Sequence, residues 1–84
     1  MIINVFNNIE ELYPDIETRK RKINQTYKIW IRDWKGNYGQ LVNGLTILTD
    51  KSIEWENKNE EMSKIYKNLI KKLRKHMKKL ETTI

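Results

Sequence analysis

The chain contains one histidine, His76, and no cysteine. Without thiols, neither a disulfide framework nor a thiolate metal site can form, and one imidazole with scattered carboxylates matches no metal-ligand spacing. His76 shares a helical sector with Leu73, Met77 and Leu80, a position that suits the edge of a core better than proton transfer. Glu54, Glu56, Glu60 and Glu61 read as an acidic helix start, where the dipole accounts for them without paired acid/base work. No Ser/His/Asp set has supporting spacing. Gly36-Asn37-Tyr38-Gly39 is a turn, because the Lys-Ser/Thr that completes a phosphate loop is missing. The expectation is a non-enzyme with no metal, no cofactor and no small-molecule substrate.

The cations carry more information. Lys64, Lys67, Lys71, Arg74, Lys75 and Lys78 fall on one side of a helical wheel, with Lys72 and Lys79 on its shoulder. Six cations over about four turns suit a phosphate backbone, binding it by neutralisation and counterion release. Arg19, Lys20, Arg21 and Lys22 are consecutive and could extend the patch. Lysine dominates, which favours sequence-independent contact, since arginine is the residue that reads guanine with two hydrogen bonds. Lysine is also abundant throughout, with 13 Lys, 12 Ile and 9 Asn but no Ala. That bias points to an AT-rich genome, such as a low-GC bacterium or a phage, and there a solvated helix face accounts for part of the charge.

Aromatic residues are the third resource. Trp30, Trp34, Trp55 and Tyr38 are the candidate partner-binding residues. With Trp30 and Trp34 on a strand face shared with Lys28 and Arg32, that face would suit base stacking or a protein hot spot. Packing into a core is the competing use, because a small protein commits its tryptophans there first.

The elements that must position these residues follow from periodicity. Residues 52–81 read as one amphipathic helix, with Ser52 as N-cap and an apolar stripe of Met62, Ile65, Tyr66, Leu69, Ile70, Leu73, Met77 and Leu80. Residues 2–6 could begin a strand, and Asn7 or Asn8 could cap a short helix closed by Pro14. Residues 27–34, 38–42 and 45–49 are rich in β-prone side chains, and Asn43-Gly44 is a strong hairpin signal. The predicted fold is therefore α+β: a short N-terminal helix, a three-stranded antiparallel meander, and the long C-terminal helix packed on the sheet. Leu41, Leu45, Ile47 and Ile53 are expected in its core. The alternative is a mostly helical chain with a helix over 14–34 and a hairpin at 38–49.

Eighty-four residues with a net charge of +6 make one small domain, residues 1–84. No apolar run approaches a signal or membrane-spanning segment, so a cytoplasmic protein is expected. Two functions fit. The first is a non-catalytic protein that binds nucleic acid through the basic helix face. The second is a phage- or mobile-element-encoded inhibitor of a host nucleoprotein or defence machine, docking by its aromatics on a protein. Membrane-surface association is weaker, because the apolar stripe is needed for the sheet. A homodimer is possible through the part of the helix that overhangs the sheet, where Tyr66, Leu73 and Leu80 alternate with Met62, Leu69 and His76 at heptad spacing.

Overall fold

A computed structural model describes the backbone of residues 2–82 and the side chains of residues 5–81. Four helices occupy the described chain: α1 Ile2–Leu12, α2 Ile16–Asp33, α3 Tyr38–Glu56 and α4 Glu60–Thr82. There is no strand among the described residues, so the α+β expectation and its meander are overturned. The chain divides into two compact units between Gly36 and Asn37.

In the first unit α1 begins at Ile2, where a strand or an Asn7/Asn8 cap was expected, and Pro14 follows its end. Asp15 caps α2, its carboxylate accepting the Thr18 backbone N–H at 2.9 Å and the Thr18 hydroxyl at 3.0 Å. These bonds to Thr18, the backbone one foremost, hold the Asp15 carboxyl below the usual carboxylate range. Helix α2 realises the alternative expectation for 14–34. Ile16, Ile23, Tyr27, Trp30 and Ile31 recur at helical intervals, and Ile23 and Tyr27 are buried. Burial also pushes the Tyr27 phenol up. Gly36, at φ +93°, makes the left-handed turn that lets the chain leave α2, a conformation that costs an L side chain about 1–2 kcal/mol.

The second unit is an antiparallel helical hairpin. Asn57, Lys58 and Asn59 connect α3 to α4, and the Asn59 side-chain oxygen accepts the Glu61 and Met62 N–H groups at 3.0 and 3.2 Å. Asn59 is thus the N-cap expected at Ser52, and the helix expected over 52–81 is two helices. Ser52 instead lies buried inside α3, where its backbone carbonyl accepts the Ser63 hydroxyl of α4 at 3.0 Å. Small residues there let the two backbones come close beside the turn. At the open end the Tyr38 phenol donates to Glu81 Oε1 at 2.9 Å.

Asn43-Gly44 lies inside α3 rather than at a hairpin turn. Leu41, Gly44, Leu48, Lys51 and Ser52 fall within about 100° of the wheel and are all buried. Burying that face with α4 outweighs the helix cost of glycine, about 1 kcal/mol. The apolar stripe of α4 is used as expected, but against α3: Met62, Ile65, Tyr66, Leu69 and Leu73 are buried. Of the expected core residues, Leu41 is buried, Leu45 and Ile47 are half-buried, and Ile53 faces outward at 60% exposure. A core position for Ile53 requires a helix start facing a sheet; the residue lies instead within α3, on its outer side.

Candidate nucleic-acid interface

Covering one side of α4 with α3 turns its other side into a defined surface. From Lys64 to Lys79 the sequence holds eight cations and no carboxylate. All eight side chains are exposed. The span is about 22 Å at 1.5 Å per residue. Lys64 has Glu60 at 3.7 Å, an exposed pair separated by one turn. Lys67, Lys71, Lys72, Arg74, Lys75 and Lys78 meet no carboxylate among the described residues. Lys67, Lys71, Arg74 and Lys78 stand at i, i+4, i+7 and i+11, a straight row along the helix, with Lys64 and Lys75 beside it. Acidic residues gather at the helix start instead, at Glu60 and Glu61, as the dipole favours.

The 19–22 cluster does not form one patch. Consecutive residues on a helix point about 100° apart, so four in a row encircle it. Arg19 turns to the end of α1, donating from Nε to the Tyr13 carbonyl at 2.6 Å and from a terminal nitrogen to the Glu10 carbonyl at 2.8 Å. Arg19 thereby acts as a cap on the C-terminal end of α1. The Lys22 ammonium stands 5.5 Å from the Tyr13 ring centre. Lys20 and Arg21 are exposed.

The aromatic residues are likewise dispersed. Trp30 and Trp34 are half-buried, on α2 and at its C-cap, and Trp30 lies 6.2 Å from the Tyr27 ring. The strand face they were to share with Lys28 and Arg32 is overturned. On α2, Trp30 lies about 160° from both Lys28 and Arg32, and Trp34 stands past the end of the helix in extended conformation. Trp55 is half-buried in the last turn of α3, not the first turn of a helix, and Tyr38 is 17 residues away at the opposite end.

His76 is half-buried on the inner side of α4. The heptad seam proposed for a homodimer is consumed inside the hairpin, since Met62, Tyr66, Leu69 and Leu73 are buried there. Nor does α4 overhang its partner helix, because Tyr38 reaches Glu81. No helix among the described residues is long and apolar enough to cross a membrane.

One buried cation had no sequence signal. Lys51, 2% exposed, contacts Glu54 at 2.7 Å and lies 5.8 Å from the Tyr66 ring centre. Its position on the inner face of α3 becomes apparent only once α3 is known to be helical. Comparison of the chain with protein-family models, curated proteins and solved structures gives no match.

Proposed function

We propose that the protein is a non-catalytic, cytoplasmic nucleic-acid-binding protein that holds the phosphate backbone on the outer face of α4. The observation that carries this reading is the run of eight exposed cations from Lys64 to Lys79 without an intervening carboxylate. Such a face has few ion pairs of its own to break on meeting phosphates, and binding gains entropy from released counterions. With seven of the eight cations lysine, recognition is by charge and not by base edge.

Fluorescence anisotropy with labelled duplex DNA and single-stranded RNA across a salt series tests it. Six phosphate contacts give a log–log slope near about −5 on duplex and about −4 on single strands. No binding at low salt would discard the reading.

A second reading, an inhibitor that docks on a host nucleoprotein machine, draws on the outer side of α3. Val42 and Ile53 are 43% and 60% exposed there, on one stripe with Thr46 and Thr49. Under that reading Ile53→Asp disrupts a protein complex that survives moderate salt, while Lys71→Gln leaves it intact. The opposite pattern excludes it.

A further inference from the structure

Helix α2 repeats the spacing of the α4 row. Arg21, Gln25, Lys28 and Arg32 stand at i, i+4, i+7 and i+11, the offsets that separate Lys67, Lys71, Arg74 and Lys78. All four are exposed. They fall within about 60° of the wheel, opposite the buried Ile23 and Tyr27, and extend about 16 Å along the axis. A strand over 27–34 would bring only Lys28 and Arg32 to one face; the helix over Ile16–Asp33 aligns all four.

We infer that this side of α2 is a second phosphate-binding row, so that each compact unit of the chain carries its own. The inference rests on reading the α4 face as a nucleic-acid surface. Three features fit the row to phosphate. Two of its three cations are arginine, whose planar fork pairs with phosphate oxygens through two hydrogen bonds. Gln25 adds an uncharged donor between them. Arg21 lies within the electrostatic reach of the Asp15 carboxylate, and Arg32 pairs with Asp33 at 3.3 Å, an exposed pair 73% and 64% open to solvent. Such a pair is worth little and yields readily to a polyanion. Ile29, 43% exposed, flanks the row beside Lys28 and is the single large apolar side chain exposed on α2 among the described residues. Where one nucleic acid is long enough to reach both rows, the second contact becomes intramolecular and adds to affinity.

Four proteins test the inference: the unaltered chain, an α2 variant (Arg21→Gln, Lys28→Gln, Arg32→Gln), an α4 variant (Lys67→Gln, Lys71→Gln, Arg74→Gln, Lys78→Gln) and their combination. Each is titrated with the same labelled duplex DNA across a salt series, after circular dichroism confirms helix content. The α2 variant is expected to bind more weakly, with a slope shallower by about 2.7, the contribution of three phosphates. The α4 variant keeps a residual, salt-sensitive affinity that the combined variant lacks. An α2 variant matching the unaltered chain in affinity and slope overturns the second row and leaves the α4 reading standing. An α4 variant matching the unaltered chain, with all binding lost in the α2 variant, overturns the α4 reading. Absence of DNA binding by the unaltered chain overturns both, as does binding to poly-glutamate without binding to DNA.

Discussion

The Tyr38 hydroxyl donates to Glu81 Oε1 at 2.9 Å, joining residues 43 apart in sequence and clasping the open end of the α3–α4 hairpin. The bond requires a protonated phenol, and Glu81 accordingly raises the Tyr38 pKa above its ordinary 10.0. The sign follows. A folded-state pKa above the unfolded one means the stabilisation is complete below about pH 10 and is lost as pH rises through the folded value. Thermal melts of the unaltered chain should therefore fall in the alkaline range more steeply than those of Tyr38→Phe. Equal alkaline slopes in the two proteins would show that the clasp contributes nothing.

Leu73 is fully buried, whereas Ile53 is 60% exposed. Leu73→Ala should cost about 2–5 kcal/mol, the sum of lost transfer energy and a cavity between the helices. Ile53→Ala should stay within about 0.5 kcal/mol. Urea unfolding of both variants measures the difference. Similar losses at the two sites would contradict the inner and outer faces assigned to α3 and α4.

Arg19 and Lys71 separate stability from binding. Removing the guanidinium in Arg19→Gln leaves the Glu10 and Tyr13 carbonyls without those donors, at a cost of about 1–2 kcal/mol, with little change in nucleic-acid affinity. Lys71→Gln should do the reverse, leaving unfolding unchanged and reducing the salt slope by about 0.9. A melt and an anisotropy titration on each protein complete the comparison. A binding defect in Arg19→Gln as large as that of Lys71→Gln would move Arg19 into the interface.

Lys51 is a buried charge held by a half-exposed carboxylate, Glu54. Desolvating the ammonium offsets much of what the pair gains, so Lys51→Met should be neutral or stabilising. Glu54→Gln removes the countercharge but keeps the shape, and should cost about 1–2 kcal/mol. Chemical denaturation decides the order. A large loss in Lys51→Met would mean the ammonium is indispensable to the hairpin.

What was legible in the sequence was whatever depends on one strong period. The stripe from Met62 to Leu80 and the cations opposite it define α4 without reference to any other element, and both are where the wheel puts them. The start of α4 was misplaced because Ser52, Glu54 and Glu56 imitate a capped helix start, while Asn57-Lys58-Asn59 has neither Gly nor Pro to announce a break. Helix α3 was hidden more deeply. Val42, Thr46, Ile47 and Thr49 favour strands, and Asn43-Gly44 favours a turn. Its helical state comes from contact with α4, a tertiary effect that local preference cannot show. The diversion of Arg19 depends on the Pro14-Asp15 turn bringing α2 back beside the end of α1, which no spacing rule encodes.

The three-residue connection Asn57–Asn59 also bears on how quickly the hairpin assembles. Contacts beside it close small loops, as between Ser52 and Ser63, 11 residues apart, whereas the Tyr38–Glu81 clasp closes the widest one. Because loop entropy grows with length, pairing should start at the turn and run outward, giving the low contact order of fast-folding helical proteins. In stopped-flow kinetics, Ser63→Val should therefore slow refolding, while Tyr38→Phe should act almost wholly on unfolding. The polar clasp would then serve as a latch that sets how long the native state lasts, with little say in how soon it forms.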